Sequence, residues 1–154
     1  MVIRASNAAD FGQVRTLLIG AGLPTEDLGT APGLRFWVAE DHGEIVGAIG
    51  LERAGTAGLL RSLVVAPGYR AKGLGGELVA TLERDAEAGG VEILVLLTQT
   101  AETFFNGLGY GLVDRAYVPD EIKQSAEFRS LCPASARCLT KSIPSRRQRL
   151  VVES

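Results

Sequence analysis

The chain has 154 residues, of which 46% are hydrophobic and 22% are charged, and these proportions are typical of a soluble globular domain with one core. Its formal net charge of −2 gives no reason to expect nucleic-acid or membrane binding, and no apolar run approaches the roughly 20 residues that span a bilayer. Two cysteines are too few for a disulfide framework. Because the N-terminus has no signal-peptide core, we expect a cytoplasmic protein.

Four stretches before residue 70 have the apolar or alternating pattern of β-strands. They are Val2–Ala5, Leu34–Glu40, Glu44–Arg53 and Leu59–Val65. Between the first two, Asn7 and Asp10 form a capping-box pattern that predicts a helix ending near Gly20. Pro24–Leu28 predicts a further short helical turn. The only histidine, His42, falls in the tight turn between the second and third strands, where a solvated residue is the simpler interpretation than a catalytic one.

The second half of the chain begins with an apolar stripe at helical spacing, which starts at Leu74 and ends before Gly89-Gly90. Val91–Leu97 is nearly all apolar, as a strand buried on both faces should be. The order strand, helix, strand therefore predicts a parallel pair with a right-handed crossover.

Four further elements are predicted in the last third. They are a short helix capped by Thr100, a strand over Gly111–Arg115, a helix over Pro119–Arg129 and a last strand over Ser135–Ser142. We expect one domain over residues 1–143 and a basic, mobile tail over 144–154.

The stretch between Leu59–Val65 and the long helix has the pattern of an anion-binding turn. It reads Arg70-x-x-Gly73-x-Gly75 and leads directly into the helix. Unpaired backbone N–H groups and the positive end of the helix dipole favour a phosphate at such a place. A Walker A loop does not fit, and a Rossmann turn would need a third glycine where Leu78 stands. The sequence therefore predicts a site for a phosphate-bearing cofactor.

Preceded by Leu63–Pro67, the Arg70-x-x-Gly73-x-Gly75 pattern resembles the pyrophosphate-binding signature of the GNAT superfamily of acetyl-CoA-dependent N-acetyltransferases. The predicted order of elements is also that of the family, and the resemblance extends from Val2 to about Ile143. It implies an α/β (α+β) fold with a mixed central sheet of about six to seven strands flanked by helices. The parallel pair Leu59–Val65 and Val91–Leu97 would be splayed.

The resemblance implies that acetyl-CoA is the cofactor. Backbone groups of the fourth strand would pair with its pantetheine arm, namely those of Leu63, Val64 and Val65. Backbone N–H groups of the loop would hold its pyrophosphate, namely those of Arg70, Ala71, Lys72, Gly73, Leu74, Gly75 and Gly76. Arg70 would contact phosphate or structure the loop, with the loop role favoured, and Lys72 is the better candidate for a direct phosphate contact.

A second block, Phe104-Phe105-x-x-Leu108-Gly109-Tyr110, resembles the family by residue type. The resemblance places Phe104, Phe105, Asn106 and Thr98 at the cofactor, with Asn106 and Thr98 as hydrogen-bonding groups there or at the substrate. Many members have a tyrosine at the position of Phe105 that protonates the leaving thiolate, whereas phenylalanine has no proton to give. Tyr110 and Tyr117 are candidate substitutes, although core packing is the simpler role for Tyr110. Otherwise the thiolate leaves unprotonated.

The general base is open as well. Several family members have a glutamate where this chain has Leu59 and Leu60. Glu52, which ends the preceding strand, is the first candidate and Glu40 the second. Arg61 lies within an apolar strand, where a charge needs a partner. It would bind a carboxylate of the substrate, or it would pair structurally with Glu52 or Glu40.

Phe128–Cys138, together with Leu60–Val65, resembles a GNAT subgroup associated with arsenic-resistance operons. By association, this suggests acetylation of a small, amino-acid-like toxic compound. Cys132 and Cys138 would bind trivalent arsenic, or they are structural cysteines, which is the simpler reading of two thiols. No metal site is predicted.

We therefore expect an N-acetyltransferase that acts on the primary amine of a small molecule and works as a monomer or homodimer. Because no cysteine lies in the mapped acyl site, the amine would attack the thioester directly. The missing tyrosine and glutamate leave an alternative, which is a catalytically degenerate CoA-binding sensor or interaction module.

Overall fold

A computed structural model describes residues 1–144, so the predicted basic tail lies outside the described residues except for its first position. The strands are β1 Val2–Ala5, β2 Leu34–Asp41, β3 Glu44–Ala54, β4 Ala57–Val65, β5 Ile93–Thr98, β6 Gly111–Leu112 and β7 Arg137–Ser142. The α-helices are α1 Phe11–Gly20, α2 Leu74–Ala88, α3 Glu102–Gly107 and α4 Asp120–Lys123.

The seven strands form one sheet in the order β1-β2-β3-β4-β5-β7-β6. β1 and β3 pair with β2 in antiparallel fashion, β4 pairs with β5 in parallel, and β7 is antiparallel to both β5 and β6. The predicted mixed sheet and its parallel pair are confirmed. In the described part of the chain, no helix is long and apolar enough to cross a membrane.

The chain forms two compact units. The first comprises Met1–Glu52 and Leu60–Leu82, and the second comprises Arg53–Leu59 and the described chain from Glu83 onward. The boundaries between them therefore fall within β3, within β4 and within α2.

The first unit begins with the predicted capping box. The Asn7 side chain accepts a hydrogen bond from the Ala9 N–H at 2.9 Å, and the Asp10 side chain accepts one from the Asn7 N–H at 2.8 Å. These bonds satisfy two N–H groups that lack acceptors within a helix, so a 3₁₀ turn over Ala8–Asp10 leads directly into α1.

The core of the first unit lies between α1 and the strands β2, β3 and β4. Its buried members are Val14, Leu18, Leu28, Phe36, Val38, Ile45, Ala48 and Val64. Gly50 of β3 allows a close approach at this place, because an added Cβ would lie 3.0 Å from the Phe36 ring and 3.4 Å from Cγ of Arg61.

The turn between β2 and β3 consists of two left-handed residues, His42 with φ 51° and Gly43 with φ 78°. Two positive φ values are typical of the tight hairpin turn that fits the twist of the flanking strands. The His42 side chain is 91% exposed, as expected for a solvated turn residue.

The second unit has its own core around β5 and β7, together with the beginning of β4 and with α4. The buried members are Ala57, Leu59, Val95, Val118, Ile122 and Cys138. The sequence of β5 is apolar, as expected for a strand covered on both faces, and Leu94, Val95 and Leu96 are all fully or almost fully buried.

Two predictions about local structure are wrong. Pro24–Leu28 is not helical but forms hydrogen-bonded turns, including one from the Leu28 N–H to the Thr25 carbonyl. Thr100 does not cap α3, whose N-cap residue is Ala101. The chain turns as it leaves β5, so the hydroxyl of Thr98 is the one that accepts from the Ala101 N–H, at 3.0 Å.

The last third is less regular than predicted. The strand at Gly111 ends after two residues, because the Asp114 side chain accepts from the Ala116 N–H and starts a 3₁₀ turn over Arg115–Tyr117. The predicted helix over Pro119–Arg129 is divided into α4 and a π-helical turn over Glu127–Leu131.

Leu18→Ala should lower the free energy of unfolding by about 2–5 kcal/mol, because the Leu18 side chain is 0% exposed in the core of the first unit. Its neighbour Ile19 is 59% exposed, so Ile19→Ala should change the same quantity by less than about 0.5 kcal/mol. Denaturant unfolding followed by circular dichroism measures both. Equal losses in the two variants would contradict this description of the core.

Candidate functional site

The loop between β4 and α2 has the backbone conformation of an anion-binding cradle. A 3₁₀ turn over Pro67–Tyr69 is followed by Ala71 with φ 62° and Gly73 with φ 82°, both left-handed. The first helical hydrogen bond runs from the Glu77 N–H to the Gly73 carbonyl at 3.1 Å. The N–H groups of residues 74–76 precede that bond and so have no acceptor within the helix. Successive N–H groups in such a turn form a concave site for an anion.

The space in front of this turn is open. A Cβ added to Gly73 or to Gly76 would meet no other atom within 4 Å. Gly73 is therefore required by its left-handed backbone rather than by crowding. An open row of N–H groups at the start of a long helix fits the pyrophosphate of acetyl-CoA, the predicted cofactor.

Two basic residues of the loop have different surroundings. The Arg70 Nε donates to the Val65 carbonyl at 2.9 Å, which ties the loop to the end of β4. This contact agrees with the loop-structuring role that the sequence favours for Arg70. Lys72 is exposed in the same loop, where its ammonium group can approach a phosphate.

The strand that leads into the loop carries the predicted pantetheine contacts. β4 pairs with β5 at Ala57, Gly58 and Leu59, and it continues for six residues past the last of these pairs. In that continuation Val64 is buried in the core of its unit, while Leu63 and Val65 are half-buried.

A buried ionic cluster lies on the same stretch of β4. The Arg61 guanidinium, whose side chain is 0% exposed, binds both oxygens of Asp27, at 2.5 Å from Nη1 and 2.7 Å from Nη2. Nη1 also lies 3.2 Å from Oε1 of Glu52. Nε donates to the hydroxyl of Ser62, a left-handed residue with φ 58°. Of the two sequence interpretations, structural pairing with Glu52 is the one that this geometry shows.

The chemistry of Glu52 follows from its burial. The side chain is 10% exposed, and desolvation raises the pKa of the Glu52 carboxyl, while Arg61 lowers it by a smaller amount. A carboxylate with a raised pKa is a better proton acceptor than an exposed one, so its environment suits a general base.

Glu40, the second candidate base, belongs to another ion-pair cluster. Its Oε2 accepts from Nη2 of Arg4 at 2.7 Å, and Arg4 also binds both oxygens of Asp10. The Glu40 side chain is 38% exposed. Its assignment as a base remains a prediction.

Asp27 is a site residue that the sequence did not predict. It lies 34 residues from Arg61 in a polar segment with no motif, so nothing near it in the chain distinguishes it from its neighbour Glu26. Only an indirect argument could have identified Asp27. A guanidinium within the apolar strand β4 requires a buried acid, and the segment before β2 is one of few that could supply one.

The second unit holds the remaining predicted residues. Phe105 is 4% exposed and packs edge to face against both Phe104 and Tyr110, at 5.0 and 5.5 Å between ring centroids. Phe104 and Asn106 are exposed, and the Thr98 hydroxyl is engaged at the start of α3. Their assignment to the cofactor remains a prediction.

Tyr110 is 2% exposed and its hydroxyl donates to Oε2 of Glu83 at 2.8 Å, an oxygen that also accepts from Lys141. Burial and the Glu83 carboxylate raise the pKa of Tyr110 far above its ordinary value. These contacts agree with the core-packing role that the sequence favours. Tyr117, the other candidate acid, is 82% exposed.

Neither cysteine forms a disulfide in the described part of the chain. Cys132 is half-buried, and Cys138 is 3% exposed in the core of the second unit, where burial raises the pKa of its thiol. Cys138 also lines an open cavity of about 440 Å³ beside Asp114, Arg115 and Arg137. A raised pKa lowers the fraction of thiolate, which is the form that binds metals.

Comparison with known proteins gives one family match. Residues 32–111, more than half of the chain, match a family model described as an acetyltransferase (GNAT) domain. The matched region includes the ionic-cluster residues Glu52 and Arg61 and the whole glycine loop.

Several solved structures have the same fold. An acetyltransferase of the GNAT family from Staphylococcus aureus Mu50 is 18% identical, with a TM-score of 0.76 over 92% of this chain and 98% of the other. Rv2747 from Mycobacterium tuberculosis, in complex with CoA and NLQ, is 23% identical, with a TM-score of 0.76 over 92% and 99%. N-acetylglutamate synthase from Neisseria gonorrhoeae, complexed with coenzyme A and N-acetyl-glutamate, is 20% identical, with a TM-score of 0.79, and 92% of this chain covers 35% of that one.

Gly73→Ala should lower the free energy of unfolding by about 1–2 kcal/mol, because alanine adopts a left-handed backbone less readily than glycine. Gly76→Ala is the matched control, since it adds the same methyl group to open space in the first turn of α2. That variant should leave the unfolding free energy unchanged or raise it by up to about 1 kcal/mol. Equal effects in urea titrations would contradict the left-handed assignment.

Proposed function

The chain belongs to the GNAT family of acetyltransferases, and on that premise we propose that it transfers the acetyl group of acetyl-CoA to the primary amine of a small molecule. The enzyme class and the cofactor predicted from the sequence are confirmed at the level of the family, since relatives of this fold were solved with coenzyme A. The observation that carries the proposal for this chain is the row of N–H groups of residues 74–76, which have no acceptor within the helix and follow the left-handed residues Ala71 and Gly73.

In the proposed complex, the loop holds the pyrophosphate of the cofactor. The N–H groups from Arg70 to Gly76 donate to phosphate oxygens, and Lys72 adds a positive charge. Backbone groups of Leu63, Val64 and Val65 pair with the pantetheine arm in the manner of an added strand. When bound, acetyl-CoA supplies an acetyl thioester, which a neutral amine can attack.

Glu52 is the proposed general base. Its burial raises its pKa, and this effect favours transfer of a proton from an ammonium group to the carboxylate. Arg61 holds Oε1 of Glu52, and this contact fixes the direction of the carboxylate. Glu40 is the second candidate for the base.

We propose direct attack by the amine rather than a covalent acetyl-enzyme. Both cysteines lie in the second unit, Cys138 in a packed core, and no cysteine belongs to the mapped acyl site. The hydroxyl of Tyr110 is held by Glu83, so a departure of the thiolate without a protein acid is the simpler course. A thiol pKa of about 8.5 makes this departure tolerable.

The acceptor class is proposed as a small amino acid or an amino acid analogue. Two relatives of the same fold were solved with N-acetyl-glutamate and with NLQ, and the sequence resemblance points to an amino-acid-like toxic compound, including an arsenic-related one. Because Arg61 is held by both Asp27 and Glu52, recognition of an acceptor carboxylate by Arg61 would require these contacts to break.

A CoA-binding sensor without activity is the second candidate. The observation that favours it is Phe105, which fills the position of the family's acid tyrosine with a buried ring packed against Tyr110. The single-domain organisation over residues 1–143 and the state of monomer or homodimer remain part of the proposal.

Gly75→Glu should weaken the binding of acetyl-CoA by at least about 100-fold. The added carboxylate repels the pyrophosphate and displaces it from two charge-assisted hydrogen bonds of about 1.5 kcal/mol each. Isothermal titration calorimetry with acetyl-CoA measures the affinity. Gly12→Glu is the matched control, because it adds the same carboxylate to the first turn of α1, where an added side chain meets no other atom.

No binding of acetyl-CoA by the unmodified chain, or equal affinity in both variants, would contradict the proposed cofactor site. Release of free thiol in the presence of a panel of amino acids separates the two candidate functions. An acetyltransferase gives thiol release that Glu52→Gln abolishes, whereas a sensor binds acetyl-CoA and releases no thiol with any amine.

A further inference from the structure

We propose that Asp27 is a positioning residue for acetyl transfer. By holding Arg61 in a bidentate pair, it leaves Glu52 as a carboxylate with one oxygen open to the ammonium group of the acceptor. The inference rests on the proposed function and deepens it, because it identifies the group that binds the acceptor nitrogen and the buried pair that prepares this group.

The three side chains share the guanidinium unequally. Asp27 takes one N–H from each terminal nitrogen of Arg61, at 2.5 and 2.7 Å, in the fork geometry that gives the strongest pairs. Oε1 of Glu52 accepts one longer hydrogen bond, from Nη1, at 3.2 Å. Of these two acids, Asp27 therefore makes the stronger contact with the guanidinium, and Glu52 makes the weaker one.

The charges of the cluster do not balance. Two carboxylates and one guanidinium give these three side chains a net charge of −1 when both acids are ionised, and all three are at least 90% buried. A buried charge is stable only when it is paired. In the proposed complex a positive charge lies beside Glu52, because the acceptor of an N-acetyltransferase brings an ammonium group.

The second oxygen of Glu52 is free to meet such a group. Oε1 contacts Arg61, and within residues 1–144 Oε2 has no hydrogen-bond partner. In the same residues, no fully buried side-chain oxygen lacks a partner, so Oε2 must reach solvent even though its side chain is only 10% exposed. A single open oxygen on a nearly buried acid is a binding site for one N–H donor.

Few other charges face Glu52 within its unit. Arg61 comes from β4 and Asp27 from the segment before β2, while Arg35 of β2 is exposed and lies over the Trp37 ring. Burial raises the pKa of Glu52, Arg61 lowers that pKa, and the negative charge of Asp27 raises it further. A raised pKa makes Glu52 a better proton acceptor, while the contact with Arg61 favours its ionised form.

The proposed step moves one proton. An N–H proton of the acceptor ammonium passes to Oε2 of Glu52, and the electron pair of that bond stays on nitrogen. The nitrogen then forms a bond to the acetyl carbon, the carbon–sulfur bond breaks, and its electron pair leaves with the sulfur. A second proton leaves the nitrogen for the thiolate, and Glu52 later returns its proton to water.

The test is a titration of the Glu52 carboxyl carbon by ¹³C NMR in the chain without cofactor. Asp27→Asn removes one negative charge and frees Arg61, so it should lower the pKa of Glu52 by at least about one unit. Asp27→Glu keeps the charge and should restore most of the pKa. Asp10→Asn is the matched control, since Asp10 is also buried in a bidentate pair, with Arg4, and it should leave Glu52 unchanged.

The second measurement uses n-propylammonium as the probe and n-propanol as its neutral counterpart. At pH 7 the ammonium, and not the alcohol, should shift the Glu52 resonance. The apparent affinity should fall about tenfold in Asp27→Asn, because the cluster then lacks its excess negative charge. In thiol-release assays, the acidic limb of kcat/KM should move to lower pH in the same variant.

The inference is overturned if n-propylammonium leaves the Glu52 resonance of the unmodified chain unchanged, a result that depends on no variant. It is overturned as well if Asp27→Asn folds and its Glu52 titrates as in the unmodified chain. In either case calorimetric binding of acetyl-CoA leaves the proposed function standing, whereas loss of that binding in the unmodified chain overturns the proposed function itself.

Discussion

The first unit depends on one contact, the bidentate pair between Asp27 and Arg61. It ties the irregular segment between α1 and β2, whose Leu28 also packs into the core, to the strand β4. Breaking such a buried pair by removing one partner typically costs about 3–5 kcal/mol, because the other charge is left uncompensated. The pair therefore stabilises the fold, independently of any role in the proposed reaction.

The same strand serves both halves of the proposed reaction. Arg61 lies on β4, the proposed pantetheine contacts follow at Leu63–Val65, and the strand runs on into the glycine loop. The left-handed residue Ser62 interrupts the regular alternation of side chains between these two parts. A strand without this interruption would continue its pleat from Arg61 to Val65 and would present the two sets of groups differently.

The sequence predicted the parts of the fold that local chemistry determines. The capping box at Asn7, the turn at His42 and the glycine loop after β4 each rest on residues within a few positions of one another, and all three were correct. Asp27 could not be found in this way, because its partner is 34 residues distant and no local pattern marks it. The early end of β6 has a similar cause, since the Asp114 side chain competes with the strand for a backbone N–H.

The bond from Arg70 to the Val65 carbonyl has a thermodynamic consequence. It closes a short ring of chain between the end of β4 and the loop, so the loop has its shape before any ligand arrives. Ordering a flexible segment of this length upon binding would consume several kilocalories per mole of affinity, at about 1–2 kcal/mol for each residue fixed. Here that entropy is lost during folding instead, so less of the free energy of the proposed diphosphate contacts is consumed in ordering the loop.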